Sequence, residues 1–179
     1  LDVNIGSKLT QKYPSCYLVG RGAKGETLSL AIAGRGQNQD TGAKMIHIAP
    51  ETTSNILSKS ISFAGGKTVF RGVVKINSEA KGTKTKTKCD ALILDNDSQS
   101  DTYPNLQVDT KEVSASHEAT VSKMEEEQIF YLMSRGLTRN EAESLIVNGF
   151  ADSIIKELPI EYGMEIKRLL EMEFETKQG

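Results

Sequence analysis

The chain has 179 residues, of which 26% are charged and only two are cysteine, and its formal net charge is −2. Two cysteines are too few for a disulfide framework, no run approaches the roughly 18 apolar residues of a membrane span, and the charge leaves no nucleic-acid footprint. No signal-peptide pattern opens the chain, and Leu1 sits in mid-stretch as in a fragment of a longer protein. With so few cysteines a reducing, cytoplasmic setting is expected.

Residues 1–121 carry 15 basic and 12 acidic side chains, and residues 122–179 carry 7 and 12. The texture changes where the charge does. A β-rich domain is expected over 1–121 and a helical domain over 122–179. The first segment is rich in Gly, Ser and Thr. Its β-favouring runs lie at 16–19, 27–33, 44–49, 55–62, 68–76, 84–94 and 113–121. Clusters at 34–41 and 95–101 read as turns. So many short strands suggest a sandwich, a barrel or a solenoid. No clean repeat emerges, so the pattern permits a β-helix without selecting it.

The second segment is helical. Residues 124–135 form a dense helix-forming stretch that Gly136 stops. Thr138 and Glu141 make a T-x-x-E capping box ahead of Ala142, Leu145 and Ile146, and Gly149 is expected to close that helix. A short helix is expected over 152–158, ended by Pro159. The last helix, about Ile160–Glu175, carries Tyr162, Ile166, Leu169, Leu170 and Phe174 as an apolar stripe. Such stripes face a core or a partner protein.

Gly20-Arg21-Gly22-Ala23-Lys24-Gly25 fits G-x-G-x-x-G, but a strand-like run follows where a dinucleotide site needs a helix. Gly66-Lys67-Thr68 imitates the end of a P-loop, but Ile61 stands where its first glycine belongs. Any ATP chemistry must therefore reside on another chain. No C-x-x-C pair or H-x-x-x-H is present. His117 and Glu118 are neighbours on an expected strand, so they point to opposite faces and cannot share one ion without a bulge.

The run "TKTKTKCD" is more pointed. As one strand it puts Thr83, Thr85, Thr87, Cys89 and Ala91 on a dry face and Lys84, Lys86, Lys88 and Asp90 on a wet one. A cysteine so placed commonly serves as a small buried hydrophobe. The lysines would also block edge-to-edge association.

Together, "GRGQNQDTGAKMIHIAPETTSNILSKSIS", "FRGVVKI", "KCDALIL", "SHEATVSKMEEEQIFYLMSRGL" and "VNGF…ELP…E" resemble the SufB/SufD family of the SUF iron–sulfur cluster assembly system. The likeness runs over about 17–175, in order. It is to the C-terminal half of the SufB branch, which the glutamate of "SHEAT" favours over SufD. The resemblance implies a right-handed parallel β-helix followed by a small helical domain. It implies a dimer with SufD or a second SufB copy through the β-helix, and docking of the SufC ATPase on the helical region. It also implies a role as assembly scaffold rather than as an enzyme, with a transient iron–sulfur cluster and a reduced flavin associated with the full complex. Cys89 corresponds to the family's acceptor cysteine and Glu118 to its proposed partner ligand. Thiolates are the usual cluster ligands, and a carboxylate can complete an iron site. Sulfur-accepting cysteines of the family would lie upstream of this segment, and Cys16 reads as core. The competing readings are a SufD-like structural subunit and a β-helix enzyme acting on sugars or acyl groups. No cluster of carboxylates or catalytic histidine supports the enzyme.

Overall fold

The computed structural model describes residues 1–175, with side chains through Glu173. Ten strands precede three helices. β1 (Asp2–Asn4), β4 (Lys24–Ala33), β6 (Thr53–Ser62), β8 (Thr83–Ile93) and β10 (Val113–Lys123) form parallel sheet A. β2 (Leu9–Lys12) and β3 (Ser15–Leu18) both pair with β5 (Asn38–His47), and the order continues through β7 (Lys67–Ile76) to β9 (Gln99–Val108) as parallel sheet B. From β4 on, successive strands alternate between the sheets, so the chain winds as a parallel β-helix. Ala43 and Met45 (β5), Phe70, Val74 and Ile76 (β7), Ile56 (β6) and Cys89 (β8) meet in its interior.

Register partners on successive turns are 29 residues apart from β4 to β6, 31 from β6 to β8 and 30 from β8 to β10. In sheet B the steps are 29 and 32. The turn length drifts because the corners differ, which is why the sequence shows no fixed period. Gly66 marks one tight corner: a Cβ there would stand 2.1 Å from the Ala33 carbonyl oxygen.

The helices α1 (Glu126–Ser134), α2 (Arg139–Ile155) and α3 (Ile160–Glu175) cover part of the outer face of sheet A. Leu30, Ile32, Ile61 and Leu92 on that face share one buried cluster with Ile129 of α1, Ala142, Val147, Ala151, Ile154 and Ile155 of α2, and Ile166 and Leu170 of α3. This is why the wet–dry alternation of β8 fails at Leu92. Lys84 and Lys86, earlier on the strand, remain exposed. Lys59 of β6 adds a polar tie: its ammonium donates to the Phe150 carbonyl oxygen at 2.7 Å and lies 4.5 Å from the Phe150 ring centroid.

Several expectations need correction. Residues 95–101 were expected as a turn with nothing regular after them, yet β9 occupies Gln99–Val108. Its polar side chains and Pro104 mask it. As the last strand of sheet B it tolerates a proline on its unpaired side. β1 and β2 are additional strands, and β4 and β5 begin inside segments that read as glycine-rich turns. Gly149 does not end a helix: α2 runs through it, and the separate helix expected over 152–158 is its last turns. Val147, Ala151, Ile154 and Ile155 carry the buried stripe past the glycine. The β8 lysines do not guard an edge, because β8 lies between β6 and β10. On the α3 stripe Ile166 and Leu170 are buried, Tyr162 is exposed, and the Phe174 side chain lies outside the described residues.

Candidate functional site

β8 alternates as expected. Thr83, Thr85, Thr87, Cys89 and Ala91 face the interior, while Lys84 and Lys86 face solvent. Cys89 is 4% exposed and packs in the cluster with Met45, Phe70 and Val74. Burial, and then the neighbouring Asp90 charge, push its thiol pKa up to about 12. The resting side chain is therefore a protonated thiol, a poor nucleophile and a poor metal ligand. Cys16, expected in the core, is only half-buried and packs against the margin of the same cluster.

The register of β10 against β8 decides which groups accompany Cys89. Ala119 lies directly beside Cys89, Glu118 beside Lys88, and His117 beside Thr87. An unbroken ladder over all eleven pairs leaves no bulge. Glu118 thus belongs to the lysine face, and His117 shares the face of Cys89. The fold does not bring Cys89 and Glu118 together within one chain. Among the described residues no group of three or more His, Cys, Asp or Glu side chains could hold a metal ion. The Gly20–Gly25 and Gly66–Thr68 segments lead into β4 and β7, both strands, so neither provides the helix N-terminus of a nucleotide site.

Sequence reasoning missed a hydroxyl ladder centred on His47. This fully buried side chain places Nδ1 at 2.8 Å from Thr52 Oγ1 and Nε2 at 2.9 Å from Ser54 Oγ. Ser54 Oγ is 2.8 Å from Thr85 Oγ1, and Thr52 Oγ1 is 3.1 Å from Thr83 Oγ1, which donates to the Ala80 carbonyl oxygen at 2.8 Å. Burial lowers the His47 pKa, so the ring is neutral and one nitrogen donates while the other accepts. The only hint in the sequence is serine and threonine spaced by two in "TTSN" and "TKTKT".

The ladder ends near the last turn. There β9 and β10 leave a slot of about 230 Å³ lined by Val74, Thr85, Thr87, Pro104, Asn105, Leu106, Ala115 and His117, among others. It lies one ladder position from Cys89 on the same face, because Thr87 and His117 pair in register and Cys89 and Ala119 form the next inward pair. Elsewhere, Phe130 and Tyr131 of α1 and Ile160, Tyr162 and Met164 of α3 are large apolar side chains left exposed. No helix is long and apolar enough to cross a membrane among the described residues.

The sequence profile of the family described as "SUF system FeS cluster assembly, SufBD core domain" matches residues 1–150. An iron–sulfur cluster assembly SufBD family protein of Staphylococcus aureus is 56% identical over 179 residues, all of this chain and 38% of that protein. Proteins of the same description from Mycobacterium tuberculosis and Mycobacterium leprae are 54% and 53% identical over the whole chain, which covers 21% of each. The chain thus spans between about a fifth and two fifths of the length of these curated relatives.

Proposed function

The chain belongs to the SufBD family of iron–sulfur cluster assembly proteins, and on that premise we propose that it is the working segment of a SufB-type scaffold. The cluster is cargo: it is built on the protein and handed on, with no turnover of the chain's own. Cys89 supplies a thiolate, and the complete ligand set forms only when a second subunit contributes. The observation that carries this reading is the position of Cys89. It is a free thiol on the interior face of the strand next to the last, buried beside Met45, Phe70 and Val74 and paired in register with Ala119 of the last strand.

The second subunit, SufD or another copy, meets the β-helix at this last turn. β9 and β10 have neighbours on one side only, and Leu106, Val108 and Val121 are exposed there. The exposed apolar side chains of α1 and α3 suit the SufC ATPase, which must come from another chain because neither glycine motif here is built for nucleotide. Glu118, on the outer face, becomes a ligand only if β10 shifts or if it serves a site shared across the subunit seam. Two free cysteines agree with a cytoplasmic location.

The test is anaerobic reconstitution of the full-length protein with iron, sulfide and its ATPase partner, comparing wild type with Cys89→Ser. Loss of the visible cluster absorption and Mössbauer signal, with the complex still intact, is expected. If Cys89→Ser holds the same cluster, Cys89 is a core residue, and the chain has the alternative role of a SufD-like structural subunit.

A further inference from the structure

Buried polar atoms without partners gather inside the first two turns of the β-helix. Asp2 Oδ2, Asn4 Nδ2, Ser29 Oγ, Gln39 Oε1 and Ser62 Oγ have no hydrogen-bond partner among the described residues, and each of these side chains is more than nine-tenths buried. An orphaned buried polar group costs stability unless something else satisfies it. Their side chains face the interior. Val3, Leu30, Ile32 and Ile61, their alternating neighbours on β1, β4 and β6, face the helices instead, and Gln39 shares the parity of Ala43 and Met45 on β5. Register ties them into one region. Asp2 pairs with Ser29, and Ser62 pairs with Ala33 at the end of the same strand. Gln39 donates through Nε2 to the Ser7 carbonyl oxygen at 2.6 Å, just beyond β1.

The chemistry of these atoms selects the occupant. Asp2 Oδ2 and Gln39 Oε1 accept, Asn4 Nδ2 donates, and the two serine hydroxyls do both. An anion would meet the Asp2 carboxylate. A cation would find that charge already engaged by Lys12, and no group of three or more His, Cys, Asp or Glu side chains among the described residues could hold a metal ion. Water both donates and accepts, so it can serve every one of them. The spacing suits it too. Ser54 and Thr85, a register pair, bond directly at 2.8 Å, whereas Asp2 and Ser29, also a register pair, leave two atoms unbonded. Neighbouring strands lie about 4.8 Å apart, the reach of one bridging water. The inward side chains of sheet A are short here: Ser29, Ala31 and Ala33 on β4, and Ser58, Ser60 and Ser62 on β6. Packed sheets stand about 10 Å apart, so such side chains leave room between them.

We propose that this polar half of the β-helix interior holds a file of ordered water, running from Asp2 and Asn4 past Ser29 to Ser58. Ser58 pairs in register with both Ser29 and Cys89, so the file ends against the thiol, whose neighbours Met45, Phe70 and Val74 are apolar. The water satisfies the orphaned atoms and gives the inner side of Cys89 its polar contact. It does so whether or not Cys89 builds a cluster.

The test is a high-resolution crystal structure of the full-length protein, with Ser29→Ala studied alongside. Ordered water is expected at about 2.6–3.2 Å from Ser29 Oγ and from Asp2 Oδ2, with a further molecule beside Ser58. Ser29→Ala separates a wet site from a dry one without a density map. A dry orphaned hydroxyl is a defect, so removing it would raise the denaturant midpoint. A hydroxyl that holds water contributes bonds, so removing it is expected to lower the midpoint. Relaxation dispersion of the water oxygen, which counts long-lived internal waters, should fall by about one molecule in the variant. An interior without ordered water, a bound cation, or a side chain from the rest of the full-length chain bonded to Ser29 and Asp2 would overturn the proposal. A raised midpoint or an unchanged water count in Ser29→Ala would do the same. Neither result touches the scaffold reading, whose test replaces Cys89 and leaves Ser29 in place.

Discussion

At His47 a single side chain links acid sensitivity to the β-helix interior. Folding holds the ring neutral, because burial lowers its pKa below the ordinary 6.5. The unfolded chain accepts a proton near that ordinary value, so below it the unfolded state binds a proton that the folded state refuses. The stabilisation is complete above about pH 6.5 and drains away as pH falls toward the lower folded value. The denaturant midpoint of wild type should therefore drop between about pH 7.5 and pH 5.5. His47→Gln should be less stable at the higher pH, because it cuts the Thr52–His47–Ser54 bonds. It should also lose less of its midpoint on acidification. Equal losses in the two proteins would place the acid-sensitive group elsewhere.

At the level of elements, α2 carries a removable defect. Gly149 is exposed within the helix, and a Cβ there would meet nothing within 4 Å. Glycine in a helix interior costs about 0.5–1 kcal/mol relative to alanine. Gly149→Ala should raise stability by that amount, a few degrees in thermal midpoint, without touching the buried stripe; a lower midpoint would mean that the helix needs the glycine. The same residue shows what the sequence made legible. Its stop signal was plain, but the strength of Val147, Ala151 and Ile154 against sheet A was not, because those partners lie far away in sequence. The two textures, the capping box at Thr138 and the inward face of Cys89 all follow from local periodicity, and each stands as read. The opposition of His117 and Glu118 also follows from the two-residue repeat of a strand. The His47 ladder does not, because its rungs join neighbouring turns through corners of unequal length. β9 was hidden by Pro104 and polar side chains, which only a terminal strand tolerates. The slot exists where that strand meets β10, so it was hidden with it.

Across the whole molecule, the helices and the β-helix share one buried cluster. Leu30, Ile61 and Leu92 of the strands are buried in the same cluster as Ile129, Val147, Ile154 and Ile166 of the helices. A change transmitted through the helical region, such as the proposed docking of an ATPase would impose, would therefore act on the outer face of the strand whose inner face carries Cys89. Lys59 tightens that link, since it is tied to the Phe150 carbonyl and stands beside Asp90 in register. Such sharing predicts one cooperative unit. Ile154 is fully buried at the seam, and truncating it to alanine should cost about 2–5 kcal/mol, the range for large-to-small core changes. In Ile154→Ala the loss should appear equally in both halves. The helical circular-dichroism band and the trapping of Cys89 by a thiol reagent should move to the same lower denaturant midpoint. Coincidence of the two probes is the mark of a single transition. If the helical band melts first while Cys89 stays protected, the helices form a separately melting layer. A force on them would then be spent in that layer before it reached the thiol.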